Sequence, residues 1–257
     1  MKRLTALSTL FALAAVGVHA NTESQIVELP ITKVFIPAKG FDDNDSIEAV
    51  VDGNLPNACY VLEKQLVNVD TEKKVITIRQ MAIRQSAGTC KEGSEPNTPE
   101  LITPIPFTET VKIGQLPSGD YQIQYSSQAG QTIARSFAVE HAPAPTLDSV
   151  PYAMVTEIST SDVLYLGQEL KLQVTGILNN SCYQLNETVA FEKIDDVFVV
   201  LPTVKVDRQG ACLMYTRPYT VGVNLGRVME PNRYLIHVRS MNGGSLNRVF
   251  SAMRQPR

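Results

Sequence analysis

The chain has 257 residues, 44% of them hydrophobic and 19% charged, with 23 basic against 26 acidic side chains, four cysteines and no tryptophan. That balance excludes the basic stripe on which nucleic-acid binders rely, and the length suits one large or two small domains. Beyond the first twenty residues no apolar run reaches the ~20 residues that a membrane-crossing helix needs, so the mature chain is not expected to be membrane-embedded.

The opening "MKRLTALSTLFALAAVGVHA" sets Lys2 and Arg3 before an apolar run over residues 4–18 and closes on Val18, His19 and Ala20. This is the pattern of a secretory leader over residues 1–20, with cleavage expected before Asn21 and a destination in the periplasm or the extracellular space. No cysteine lies at the cleavage point, so no lipid anchor is expected. Without Lys2 and Arg3, the remaining 237 residues carry 21 basic and 26 acidic side chains, a net charge near −5.

Apolar residues then alternate, and a period of two predicts strands near 31–36, 46–52, 58–69, 73–83, 107–114, 120–126 and 131–139. Turn signals such as "FDDNDS", "QSAGTCKEG" and "LPSGD" separate them. Residues 141–151, which hold three prolines, read as a stiff connector. Strands recur near 153–159, 168–175, 182–191, 196–206, 219–226, 233–239 and 246–252, and no segment after the leader has a helical period. The expected fold class is all-β.

The second series copies the first. "GNLPNACY" at 53–60 has a near twin, "GILNNSCY", at 176–183. Further on, Tyr121, Ile123, Ser127, Gly130, Arg135 and Phe137 align without a gap to Tyr234, Ile236, Ser240, Gly243, Arg248 and Phe250. Self-similarity over some hundred residues signals one unit present twice by internal duplication, which places domains at 21–140 and 152–257.

In "LPSGDYQIQYS" a leucine, a turn containing glycine and then Tyr121 follow in the order that resembles the tyrosine corner of immunoglobulin-like and fibronectin-type β-sandwiches. "VMEPNRYLIHVRS" keeps Tyr234 without the glycine. The resemblance implies two tandem immunoglobulin-like β-sandwich domains. It departs from antibody domains, because the sixth strand has no cysteine and the chain has no tryptophan.

Four cysteines allow three pairings. The repeat favours Cys59 with Cys90 and Cys182 with Cys212, at separations of 31 and 30. Export makes disulfides the expectation over zinc, which wants close cysteine pairs with histidine partners. His141 lies in the connector, and His237, alternating with Ile236 and Val238, is expected on a solvated face. No nucleophile elbow, phosphate loop, zinc-helix motif or dinucleotide fingerprint is present. No catalytic residue, metal or cofactor is therefore expected, and the protein is not expected to be an enzyme. The runs "DDND" (42–45) and "EKIDD" (192–196) read as turns, with a calcium site at Asp42, Asp43 and Asp45 as the alternative. Arg135 and Arg248 share strand parity with core residues, so each is expected to reach outward from an edge or bulge, or else to form a duplicated ligand contact.

The copies differ most after their second cysteines, where "KEGSEPNTPELITPI" (91–105) answers a five-residue "LMYTR". Loops on rigid frameworks carry binding, which makes Lys91, Glu92, Glu95, Pro96, Pro99 and Glu100 the candidate partner-binding loop. The expected function is that of an exported, non-enzymatic binding or structural protein with a protein or glycan partner. A periplasmic chaperone that accepts a strand at a sheet edge and a protease inhibitor are the alternatives.

Overall fold

The computed structural model describes residues 24–85, 103–142, 151–207 and 211–256, and every helix-or-strand element among them is a strand. The first half contains β1 (Gln25–Leu29), β2 (Ile31–Phe35), β3 (Phe41–Asp42), β4 (Ile47–Leu55), β5 (Tyr60–Leu62), β6 (Leu66–Asp70), β7 (Val75–Arg84), β8 (Ile105–Gly114), β9 (Gly119–Ser126) and β10 (Thr132–Glu140). The second half contains β11 (Met154–Ser159), β12 (Val163–Tyr165), β13 (Glu169–Leu178), β14 (Tyr183–Leu185), β15 (Ala190–Ile194), β16 (Val197–Leu201), β17 (Val204–Val206), β18 (Arg217–Arg227), β19 (Asn232–Ser240) and β20 (Gly244–Met253).

Each half has two layers. In the first, β2-β4-β8 faces a larger sheet in which β6 and β9 flank β7 and the order continues through β10 to β3. In the second, β11-β13-β18 faces β15-β16-β19-β20-β12. Inward residues of both layers make one apolar core per half, with Ala49, Val51, Ile76 and Ile123 in the first and Leu172, Val174, Val200 and Ile236 in the second. Both larger sheets are mixed, since β7 runs parallel to β9 and β16 parallel to β19. Immunoglobulin-type sheets are antiparallel, so this pairing departs from that arrangement. Its physical basis is the hairpin's composition. β7 buries Ile76, Ile78, Gln80 and Ala82 and takes the interior place, whereas the more exposed β6 takes the edge. β16 and β15 divide the same way.

Three expected strands are interrupted. The stretch 58–69 breaks into β5 and β6, where the buried Gln80 amide donates to Glu63 O and Met81 O, each at 2.9 Å. The stretch 182–191 breaks into β14 and β15. In 196–206, Pro202 lacks a ladder donor and separates β16 from β17. The twin glycines of the two cysteine segments have a packing cause. A Cβ on Gly53 would meet the Phe107 ring at 2.3 Å, and one on Gly176 would meet Met154 O at 2.0 Å and the Tyr219 ring at 2.7 Å. In both halves an aromatic ring therefore lies over a bare strand glycine.

The halves pack face to face. Phe35 and Val50, on the outer face of β2-β4, form a third apolar cluster with Val197, Val199 and Leu235 from the outer face of β16-β19. As a result β19 is buried on both sides from Tyr234 to Ser240. The outer faces left open carry different residues at the matching register positions. Ser159 and Gln173 pair where Phe35 and Val50 do, and Val75 with Gln122 where Val197 and Leu235 do.

Candidate functional site

The tyrosine expectation is met in its hydrogen bonding. Tyr121 Oη donates to Pro117 O at 2.9 Å and Tyr234 Oη to Glu230 O at 3.1 Å, each four residues back. Each ring stacks on the phenylalanine opposite it on the next strand, Phe137 at 5.7 Å and Phe250 at 5.5 Å. Burial raises the Tyr234 phenol above its ordinary value. These tyrosines seal core corners and do not face a cleft.

The two cysteine turns are built alike. Cys59 N donates to Asn57 Oδ1 at 2.8 Å and Cys182 N to Asn180 Oδ1 at 2.9 Å. Their carbonyls accept from Gln85 N and Asp207 N, each at 2.9 Å. Asparagine two residues before the cysteine closes an Asx turn, which explains the shared "N-x-C" of the twin segments. Cys182 is bonded to Cys212, with an S–S distance of 2.01 Å. The expected partner of Cys59, Cys90, lies outside the described residues, as do Lys91, Glu92, Glu95, Pro96, Pro99 and Glu100.

The segment after Cys212 was not singled out from sequence, yet it carries the most conspicuous exposed apolar group. Leu213, Met214 and Tyr215 stand 64%, 85% and 49% exposed. They are tied down nonetheless. Leu213 N donates to Ser181 Oγ at 2.9 Å, Ser181 N donates to Leu213 O at 3.0 Å, and Tyr215 N donates back to Leu213 O at 3.0 Å. That last bond is a three-residue turn that puts Met214 at its apex. Arg217 Nη2 anchors the far side on Tyr183 O at 2.9 Å. An apolar triplet held by a disulfide and four hydrogen bonds has little conformational freedom left to lose on contact. Its sequence signal was the run of three large apolar residues beside a cysteine.

The charged residues singled out from sequence belong mostly to the junction between the halves. Arg135 pairs with Asp196, which also takes Lys33 Nζ at 2.7 Å. Arg248 instead pairs with Asp162 at 2.5 Å within the second half, so the two arginines take different partners, Arg135 reaching across the junction. Asp45 is not a solvated turn residue. It is buried against Arg239 Nη1 at 2.7 Å and accepts Asp42 N at 2.9 Å. Asp42 Oδ1 accepts Asn44 N, while Asp43 takes Ala142 N at 3.0 Å and the His141 ring at 2.8 Å. The backbone donor from Ala142 and the His141 ring hold the Asp43 carboxyl below its usual range. These three carboxylates point to separate partners, and among the described residues no group of three or more acidic, histidine or cysteine side chains is arranged to hold a metal. Asp52 Oδ1 accepts from Thr108 Oγ1 at 2.6 Å and Arg233 Nη2 at 3.1 Å, the carboxylate and guanidinium form an ion pair, and burial lifts the carboxyl above its ordinary value.

The expectation for His237 is overturned. Its side chain does point away from Ile236 and Val238, but the first half covers that face and leaves it 1% exposed. Desolvation, followed by the neighbouring Arg239, pushes its pKa down to about 3, so it is neutral at pH 7 and Nδ1 meets Asn247 Oδ1 at 2.9 Å. Neither it nor the exposed His141, held by Asp43, is set against a nucleophile by any hydrogen bond described above.

No family model matches the chain, no curated protein matches it, and no solved structure matches it. No helix of the described residues is long and apolar enough to cross a membrane.

Proposed function

We propose that this is an exported, non-enzymatic binding protein made of two tandem immunoglobulin-like sandwiches related by duplication, and that it engages a protein partner through the disulfide-held tip at Leu213, Met214 and Tyr215. The observation that carries this reading is the tip itself: three adjacent large apolar side chains exposed on a segment held by the disulfide and by hydrogen bonds at Leu213 and Tyr215. Exposed apolar groups held rigidly mark interaction sites, and apolar anchors in a pocket dominate protein interfaces. The leader pattern supports export, and the Cys182–Cys212 bond fits an oxidising compartment. The matched tyrosine bonds and Asx turns support the duplicated sandwich reading.

The test replaces Leu213, Met214 and Tyr215 together with serine and compares capture of partners from the native extracellular or periplasmic fraction. Loss of at least tenfold of one captured protein, with the Cys182–Cys212 bond intact, supports the tip as the site. Equal capture removes it. The chaperone reading has one observation in its favour, since β8 and β18 are edge strands of 10 and 11 residues. Pro106, Pro218, Gly222 and Gly226 blunt those edges against strand addition, which weighs against it.

A further inference from the structure

The junction between the halves is polar where it need not be. Around the apolar patch of Phe35, Val50, Val197, Val199 and Leu235, first-half side chains meet second-half partners: Asp45 on Arg239, Asp52 on Arg233, Lys33 and Arg135 on Asp196, Lys39 on Glu192, and Glu48 on Asn247 Nδ2 at 3.2 Å. In their midst sits His237, whose environment is complete only for a neutral ring. From its own strand it faces Arg239; from β20 it faces Asn247, whose other end is held by Glu48; from β16 it lies opposite Val199; and from the first half the Phe41 ring meets it edge-on at 5.8 Å. Of the carboxylates brought in by that half, Asp45 is committed to Arg239 and Glu48 to Asn247 Nδ2 and Ser245 Oγ. His237 Nε2 is buried and has no hydrogen-bond partner among the described residues. A second proton there would find no acceptor and would stand beside a guanidinium.

We propose that this junction is an acid-sensitive latch: protonation of His237 parts the two halves, each still folded. The sign follows from linkage. The ring is depressed to about 3 when closed and returns to the ordinary value near 6.5 when the junction opens, so closure is fully supported above pH 6.5 and loses support as pH falls toward 3. From pH 7 to pH 4.5 this shifts the open-to-closed ratio by about a hundredfold. Asp52 works the other way, because its carboxyl is raised in the closed form and accepts a proton more readily there. The latch is independent of the Leu213–Tyr215 tip, and each proposal can fail without the other.

The backbone bond from Ser46 N to Gly243 O, 3.2 Å long, crosses the junction and reports its opening. Amide exchange at Ser46, corrected for its intrinsic pH dependence, should rise about a hundredfold between pH 7 and pH 4.5, while core amides such as Ile123 and Val174 stay protected. In His237→Asn, which keeps a donor near the Nδ1 position but does not titrate, the rise should fall below about threefold. An equal rise in both proteins, no rise in either, or a rise shared by the core amides overturns the latch. Should the variant fail to fold, the ring carbon shifts of His237 in the unaltered protein decide. A ring still neutral at pH 5 supports the latch, and a ring titrating near 6.5 with the junction closed refutes it.

Discussion

Replacing Arg239 by leucine removes the cation that neutralises Asp45 at the centre of the junction. Both side chains are 5% exposed and meet at 2.7 Å, and Asp42 N also donates to that carboxylate at 2.9 Å. The substitution leaves a buried carboxylate without its cation, a situation that costs about 3–5 kcal/mol. Loss of the guanidinium from above the Phe41 ring, 4.8 Å away, adds about 0.5–1 kcal/mol. With a urea dependence of about 3 kcal/mol/M, the midpoint of unfolding followed by circular dichroism should fall by roughly 1.2–2 M. Adding Asp45→Asn to Arg239→Leu removes the charge while still accepting from Asp42 N, and should return the protein to within about 2 kcal/mol of the starting stability. A single-variant loss below ~1 kcal/mol, the range of an exposed pair, would refute the burial of this junction.

Other outcomes follow from the same packing. Gly176→Ala should destabilise by at least 1–3 kcal/mol and more than Gly53→Ala, because its Cβ meets a backbone oxygen at 2.0 Å whereas that of Gly53 meets a ring able to turn aside; equal thermal shifts would contradict this. Tyr121→Phe and Tyr234→Phe should each cost about 1 kcal/mol in urea unfolding by losing one corner bond. Cys182→Ala with Cys212→Ala, which opens a 30-residue separation, should cost about 2–5 kcal/mol and loosen the tip, seen as faster exchange at Leu213 N.

Much of the architecture was legible. Alternation located the β-strands other than β1, β3 and β12, and the aligned tyrosines and cysteine segments pointed to halves of similar build. The junction was harder to see, although one trace of it was present. "YQIQYSS" of β9 alternates apolar with polar, as a strand with one wet face does, whereas "YLIHVRS" of β19 reads Leu235 and His237 where its counterpart has Gln122 and Gln124. A nearly continuous apolar strand is one buried on both faces, so Leu235 in that run told against a solvated His237. Asp45 and Asp196 could not be read this way. Each has ordinary turn chemistry locally, and its burial comes from partners far along the chain, Arg239 lying 194 residues from Asp45 and Arg135 lying 61 from Asp196. Phe35 and Val50 look like members of any strand until Ser159 and Gln173 are seen at the matching places, which shows that only one of the two equivalent faces is covered. At Met214 the five-residue segment is short and apolar, whereas the longer, more polar segment at 91–105 carries the stronger loop signal.

The central structural claim is that the halves form one body through the junction at Phe35, Val50, Val199 and Leu235. Residual dipolar couplings of backbone amides in weakly aligned protein at pH 7 test it most directly, by fitting β4, β7 and β9 separately from β13, β16 and β19. A single alignment tensor, equal in magnitude and orientation for both groups, is the expected result. Two tensors of different magnitude would show halves that move independently and would contradict the account.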